Sequence, residues 1–216
     1  MRDEDFEGFI EDFGEATEQA PVSDADVATW SGILPNQLLH YWKDEGWCGY
    51  ANGLVWTVNP SEFEEIKDEW LRDTFLPQVD NFHVIARTAF GKMFLWGEKT
   101  GNSVVISPCT NMISGLEKNL KRTIDDPDFY VRTFFGFLTK NRCDVKDEDG
   151  RRLFDRAVKK LGPLRSDEVF GFEPALVLGG RMDLNNIRKL NMDVHLTILR
   201  QFGSPDLSFS SVDVGL

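Results

Sequence analysis

Apolar residues recur at helical spacing at the start of the chain. Four of them occupy positions i, i+3, i+4 and i+7 of one helical face, and carboxylates fill the other faces. The pattern predicts an amphipathic helix whose apolar stripe packs against the body of the protein, and a solvated outer face accounts for most such charges. The stripe consists of Phe6, Phe9, Ile10 and Phe13, and the carboxylates are Asp3, Glu4, Asp5, Glu7, Glu11, Asp12 and Glu15.

Two further helices are predicted in the first half of the chain. One begins at Leu34-Pro35, because proline suits the first helical turn. The other begins at Ser61-Glu62-Phe63-Glu64, which has the spacing of a capping box. The segment from Thr17 to Thr29 lacks helical periodicity and is expected to be a connection. The outer face of the helix that begins at Ser61 exposes Glu62, Glu65, Asp68 and Glu69.

Strand patterns follow these helices. Asn52-Gly53 lies between apolar residues and predicts a hairpin turn. Short apolar segments at 84–89, 93–96 and 104–106 predict strands. The first half therefore has the pattern of an α+β module, with a mainly antiparallel sheet and helices packed against it.

The second half of the chain has mostly helical patterns. Asp126-Pro127 suits a helix start. Pro174 opens an apolar run that fits a buried strand. We therefore expect a second, helix-rich α+β module, followed by a loosely ordered tail over residues 203–216. The helical patterns contain Leu116 and Leu120; Phe129, Phe134, Phe135 and Leu138; Leu153, Phe154, Ala157, Val158 and Leu161; and the region from Leu190 to Leu199.

Negative charge is concentrated in the first half. The net charge of the chain is −12. Residues 1–108 contain 20 acidic and seven basic side chains, a net charge of −13. Residues 109–216 contain 16 acidic and 17 basic side chains, a net charge of +1. All six tryptophans also lie in the first half. An acidic surface with aromatic side chains suits a cationic protein partner and would repel nucleic acid. The basic cluster from Arg151 to Lys160 alternates with apolar residues, so a solvated helix face explains it.

The sequence suggests a cytoplasmic protein. No cationic start followed by an apolar run is present, and no stretch approaches the roughly 20 apolar residues of a membrane helix. Three scattered cysteines, Cys48, Cys109 and Cys143, do not make a disulfide framework. We expect no membrane association and ordinary buried thiols.

No motif in the sequence indicates catalysis, a cofactor or a metal. His40, His83 and His195 lack carboxylates or cysteines at ligand spacing. The acidic loop from Asp144 to Gly150 does not fit a calcium loop, because the first ligand position would be valine and the twelfth arginine. Gly179-Gly180-Arg181 is too short a pattern for an anion cradle. No nucleophile elbow, HExxH motif or paired-cysteine motif occurs.

Two segments resemble known protein families. The stretch Asp167 to Gly180 is similar to the signature of a C-terminal domain of immunity proteins that protect bacteria against type VI secretion effectors. An upstream pattern resembles a GAD-like domain; it includes Leu34-Pro35, Gly46-Trp47, Tyr50 to Trp56, Val58-Asn59-Pro60 and Phe82 to Gly91. The resemblance implies a GAD-like domain over 1–110 and an immunity-protein C-terminal domain over 111–202. It also implies that the glycine, proline and aromatic residues of the signature are structural: Gly171, Phe172, Pro174, Gly179 and Gly180.

The resemblance implies a non-enzymatic immunity protein that binds and neutralises a cognate toxin, with a DNase as the expected class. A DNase needs a cationic surface for phosphates, so carboxylates of the first module are expected to cover its DNA-binding or active site. Immunity to a non-nuclease toxin and a regulatory binding protein are the alternatives. The expected toxin-binding residues are Asp44, Glu45, Trp47, Glu62, Glu65, Asp68 and Glu69.

Overall fold

The computed structural model describes residues 2–210, and its helices and strands are distributed over this whole range. The helices are α1 (Glu4–Phe13), α2 (Asp24–Trp30), α3 (Asn36–Glu45), α4 (Glu64–Leu71), α5 (Leu76–Val79), α6 (Glu117–Leu120), α7 (Pro127–Gly136), α8 (Lys140–Cys143), α9 (Phe154–Leu161) and α10 (Met192–Gln201). The strands are β1 (Thr17–Ala20), β2 (Trp47–Tyr50), β3 (Val55–Thr57), β4 (Phe82–Thr88), β5 (Met93–Gly97), β6 (Gly101–Ser107), β7 (Met112–Leu116), β8 (Glu168–Phe172), β9 (Ile187–Asn191) and β10 (Asp206–Ser210).

An eight-stranded sheet with the order β1-β2-β3-β4-β5-β6-β7-β10 organises the fold. Neighbouring strands are antiparallel, except that β10 runs parallel to β7 with Asp206 opposite Met112 and Ser210 opposite Leu116. The strands β8 and β9 form a separate antiparallel hairpin. This arrangement confirms the predicted α+β class and the mainly antiparallel sheet with packed helices.

The first helix packs as its periodicity predicts. Phe6, Phe9 and Phe13 are buried. Phe6 and Phe9 contact Phe135 of α7, with ring centroids 5.2 and 5.3 Å apart. The rings meet edge to face, the geometry that aromatic quadrupoles favour. The N-terminal helix is therefore anchored on a helix of the second half of the chain.

The hairpin between β2 and β3 is confirmed, and its turn requires unusual backbone angles. Asn52 has φ 58° and Gly53 has φ 89°, the left-handed region that asparagine and glycine tolerate. The next helix has a different cap from the predicted one. Asn59 caps a 3-10 turn over Pro60–Phe63 by accepting a bond from the Ser61 amide, and α4 continues from this turn. The predicted capping box at Ser61 is thus wrong, because the chain turns two residues earlier.

Three other expectations differ from the structure. Residues 17–29 are not a plain connection but contain β1 and α2, where Ser23 and Asp26 form a capping box. The run after Pro174 is a 3-10 turn over Leu176–Leu178, not a buried strand, and the strand of the signature lies before it at β8. Residues 206–210 of the expected tail form β10, whereas residues 211–216 lie outside the described range.

The large sheet draws on both predicted domains. Strand β7 follows the predicted boundary at 110, and β10 lies beyond residue 202, yet both extend the sheet built by the first half. One continuous core runs through α1, the sheet and α7. The domain limits at 110 and 202 stay predictions. Strands β7 and β10, which lie outside the first predicted domain, nevertheless belong to its sheet.

Candidate partner-binding surface

An acidic groove runs between α4 and α10. Its volume is about 630 Å³. Carboxylates from both helices line it, since α4 presents the exposed face predicted from its sequence and α10 adds Asp193. The groove therefore combines charge from the first half of the chain with charge from the second. Its lining residues are Glu65, Ile66, Asp68, Glu69, Arg72, Asp193, Thr197 and Gln201.

Helix α4 is fixed against α10 by hydrogen bonds at its C-terminal half. The buried Trp70 indole donates to the Leu196 carbonyl at 3.3 Å. The Arg200 guanidinium donates to the carbonyls of Glu69 at 2.8 Å and Arg72 at 3.1 Å. These carbonyls lie at the end of α4, where a helix lacks internal partners and its dipole favours a cation. Arg200 therefore acts as a clamp that sets the geometry of the groove.

Part of the acidic charge on α4 is already neutralised. Buried Lys67 pairs with Glu64 at 2.7 Å and Asp68 at 2.8 Å. Burial disfavours the charged form of Lys67, but the hydrogen bonds to these carboxylates outweigh it and raise the pKa of Lys67. Glu69 pairs with Arg72. Lysine and arginine thus leave only a fraction of the helix charge available to a partner.

Three carboxylates at the groove and its edge keep their charge uncompensated. Glu62, Glu65 and Asp193 are exposed. Across residues 2–210, no lysine, arginine or histidine forms an ion pair with any of the three. Glu62 lies in the turn before α4 and does not line the groove itself. These side chains are available to a cationic partner.

The other expected toxin-binding residues lie elsewhere, on α3 and β2. Asp44 is exposed. The Glu45 side chain is only 9% exposed and accepts a 2.7 Å bond from Arg2. Trp47 is half-buried against Trp42, with ring centroids 5.7 Å apart. Neither Glu45 nor Trp47 is thus presented as freely as Glu65.

The tryptophans do not provide the exposed aromatic anchors expected from composition. Five of the six are buried in the core: Trp30, Trp42, Trp56, Trp70 and Trp96. Most of the large exposed apolar side chains lie in the second half of the chain, with Ile33 and Phe75 as first-half examples. Those in the second half include Phe129, Phe137, Val177, Leu178, Val194, Ile198 and Phe202.

An apolar groove of about 300 Å³ lies on the second half, beside α10. The sequence patterns did not predict it, because the apolar run after Pro174 was expected to be a buried strand and the region from Leu190 to Leu199 was predicted only to be helical. A usable signal existed in Val194, Ile198 and Phe202, which recur every four residues. The groove is lined by Phe172, Glu173, Ala175, Leu178, Leu190, Asn191, Val194, His195, Ile198, Leu199 and Phe202.

The signature residues shape one end of this groove. A Cβ on Gly171 would lie 2.4 Å from Nε2 of His195, so only glycine lets that ring pack on β8. A Cβ on Gly180 would lie 1.8 Å from the Pro174 carbonyl oxygen. Burial lowers the pKa of His195, which therefore lies neutral beside the groove. These contacts give the signature glycines a structural reason.

The histidines outside the groove are accounted for by structure. His83 is buried, with Nδ1 3.1 Å from Glu64 and Nε2 3.1 Å from Glu98. Burial disfavours the charged ring, but the two carboxylates outweigh it and raise the pKa of His83. His40 is exposed on α3. His83 thus holds α4 to the strand β4 through an ion pair.

No arrangement of reactive groups emerges from the described residues. Across residues 2–210, no group of three or more His, Cys, Asp or Glu side chains could hold a metal ion. In the loop from Asp144 to Gly150, Asp147 accepts bonds from Arg156 and Arg151, and the Arg156 bond lowers the pKa of Asp147 to about 2. The Asp147 carboxylate that a metal cation would need is therefore already paired with two arginines.

The cysteines have the environment of unreactive thiols. All three are free. Burial raises the pKa of Cys109 to about 11 and that of Cys143 to about 12. Both thiols are therefore almost wholly protonated near neutral pH, and the thiolate is the nucleophilic form.

Among residues 2–210, none of the helices has the length and apolar character needed to cross a bilayer.

Comparisons with known proteins follow the same division of the chain. Residues 4–110 match the family model for the GAD-like domain, and residues 128–203 match the model described as T6SS immunity protein Tdi1, C-terminal. The crystal structure of Atu4351 from Agrobacterium tumefaciens is similar over 96% of this chain and 94% of that chain, with a TM-score of 0.84 and 20% sequence identity. At that identity the likeness shows a shared fold. A search of curated proteins finds no match.

Proposed function

The chain joins a GAD-like domain to the C-terminal domain of the T6SS immunity protein Tdi1, and from this premise we propose that it binds a cognate DNase toxin stoichiometrically and neutralises it. The family match supports immunity against a toxin, and the proposal is that the protein acts by binding, without catalysis. The DNase class, the mode of binding and action in the cytoplasm belong to the proposal.

The acidic groove between α4 and α10 is the observation that carries the proposal. A nuclease must attract a phosphate backbone and so should present a cationic cleft. A groove with uncompensated carboxylates matches such a cleft in charge, and residues 1–108 carry a net charge of −13. Complementary charge raises the encounter rate and competes directly with DNA for the same surface. Inhibition would then result from occlusion.

The proposed main contact with the toxin lies on helix α4 and the turn before it. Glu62 and Glu65 form no ion pair with any cationic group of residues 2–210, and Asp68 and Glu69 can exchange their partners for a cation of the toxin. Asp44 and Glu45 beside Trp47 form a second candidate region. There the Arg2 ion pair and the half-buried indole leave Asp44 as the most accessible side chain. We therefore place the main electrostatic contact on α4.

Co-expression with the effector encoded next to its gene tests the proposal. The two proteins are co-purified, and plasmid degradation by the effector is measured with increasing amounts of this protein. Suppression at an equimolar ratio is the expected result. A complex whose effector degrades no DNA would refute the DNase class and favour a non-nuclease toxin. No complex would refute the immunity proposal for this pair and favour a regulatory protein.

A charge-reversal variant tests the role of α4. Changing Glu62, Glu65, Asp68 and Glu69 to lysine should slow association steeply and abolish protection. A matched control reverses Glu7, Glu11, Asp12 and Glu18, which are exposed on α1 and β1, and gives the same change in net charge. Equal loss in both variants would mean that only net charge matters. Unchanged inhibition by the α4 variant would refute its assignment as the contact surface.

A further inference from the structure

Two differently lined grooves share the helix α10. Asp193, Thr197 and Gln201 recur every four residues and face the acidic groove. Val194, Ile198 and Phe202 follow them by one residue and face the apolar groove. One residue turns an α-helix by about 100°, so the two stripes occupy adjacent faces. The grooves therefore form one composite surface around α10.

The apolar part of this surface is built from side chains that remain open to solvent. Leu178 is 59% exposed and Val194 58%, while Ile198 is 43% exposed. They lie over a floor that contains the buried Phe172 and Leu199. Exposed apolar side chains that cluster around a concave site mark interaction surfaces. A volume of about 300 Å³ is at the small end of binding pockets and suits one or two large apolar side chains.

The surface is held in shape before any partner arrives. Asn191 caps α10 by accepting a 3.1 Å bond from the Val194 amide. The Arg200 clamp fixes the other end of α10 to the carbonyls at the end of α4. Gly179, with φ 84°, ends the turn that carries Leu178. A preformed groove loses little conformational entropy on binding, which favours affinity.

We infer that the apolar groove anchors a large apolar side chain from a cationic segment of the toxin, next to the carboxylates that attract that segment. This inference rests on the proposed function and adds the anchor site on the second half of the chain. A partner segment must cross from one groove to the other around α10, so it should carry basic residues on one side and an aromatic or aliphatic residue on the other.

Charge decides between this occupant and a second copy of the protein. A twofold contact through α10 would place the same acidic groove of each copy next to the other. Like charges in that position oppose association, and the whole chain carries −12. A basic segment meets no such cost. The composite surface thus fits a partner of opposite charge.

The two grooves should control different rate constants. Long-range attraction by the carboxylates sets the association rate, whereas burial of an apolar anchor sets the dissociation rate. The test uses the effector encoded next to the gene, immobilised for binding kinetics at two salt concentrations. The groove variant combines Val194→Ser with Ile198→Ser, and a control combines Phe129→Ser with Phe137→Ser, which removes exposed apolar side chains elsewhere.

We expect the groove variant to dissociate about tenfold faster or more, with an association rate within about threefold of wild type and the same salt dependence. The control should match wild type. The four-carboxylate variant of α4 should instead associate slowly and lose salt dependence. All variants must keep the thermal unfolding midpoint of wild type; if the double variant does not, Leu178→Ser alone repeats the measurement.

Three results separate the possibilities. If the groove variant dissociates like wild type while the α4 variant loses binding, the anchor inference is overturned and the proposed function stands. If wild type does not bind the effector, the proposed function fails and takes the anchor with it. If light scattering shows a wild-type dimer that Val194→Ser and Ile198→Ser dissociate, the groove binds a second copy and the inference is wrong.

Discussion

Removing the Arg200 side chain should loosen the attachment of α10 to α4. The guanidinium donates to the carbonyls of Glu69, Arg72 and Gly203 at 2.8, 3.1 and 3.0 Å, and the side chain is 12% exposed. Hydrogen bonds that involve a charged group contribute about 1.5–3 kcal/mol each when buried. After Arg200→Ala, water can reach the carbonyls at the end of α4, so only part of this sum is lost. We expect the free energy of unfolding to fall by about 2–3 kcal/mol.

Urea unfolding followed by circular dichroism and by tryptophan fluorescence measures this change. Coincident transitions from the two probes are required before one free energy is assigned. For a chain of this size, a loss of 2–3 kcal/mol corresponds to a fall of about 4–12 °C in the unfolding midpoint. Arg165→Ala is the control, because Arg165 is 70% exposed and its surface ion pairs contribute about 0–1 kcal/mol. A loss for Arg200→Ala no larger than for Arg165→Ala would refute the clamp.

Three further predictions test other parts of the fold. The ion pair of protonated His83 stabilises the fold fully below the unfolded pKa of about 6.5, and this effect is lost as pH rises through the raised folded pKa. His83→Gln should therefore lower the free energy of unfolding more at pH 6 than at pH 9, as measured by urea titration. An equal loss at both pH values would contradict the ion pair. Gly180→Ala should destabilise by more than about 2 kcal/mol, because its Cβ would meet the Pro174 backbone, and an unchanged melting midpoint would contradict this. At pH 8, mass spectrometry should find the buried Cys143 unlabelled by iodoacetamide in the folded protein and labelled in urea; labelling of the folded protein would contradict its burial.

Local sequence patterns predicted the elements whose apolar residues repeat regularly. The stripe from Phe6 to Phe13 gave α1, and Asp126-Pro127 marked the start of α7, where Asp126 accepts a bond from the Phe129 amide. Both signals lie within one or two helical turns and need no knowledge of the rest of the chain. The same holds for the hairpin turn at Asn52-Gly53.

Elements that depend on contacts with residues far away in the sequence could not be predicted from local patterns. Strand β10 exists because Asp206 to Ser210 pair with Met112 to Leu116; Leu207 and Phe209 alternate with polar residues, but this pattern spans only five positions, four of them exposed. Strand β1 is exposed along its whole length. The run Ala175 to Leu178 is apolar, yet it is too short for its pattern to separate a strand from a turn. Tertiary pairing decides all three.

The sequence predicted one wall of the acidic groove but not the other. Spacing alone placed Glu65, Asp68 and Glu69 on the outer face of α4, and the structure finds them lining a groove. The opposite wall with Asp193 required the packing of α10 on α4. The apolar groove needed the same information, since Val194 and Ile198 have the periodicity of core residues and only the fold leaves them uncovered.

The parallel pairing of β10 with β7 has a consequence for synthesis of the protein. During translation, β7 emerges long before its partner strand, so its outer backbone groups stay unpaired while the rest of the sheet forms. An open strand edge is a template for pairing between nascent chains. A nonsense mutation at positions 203–205 would leave that edge permanently bare, and the truncated chains should therefore aggregate even though the residues that line both grooves are present.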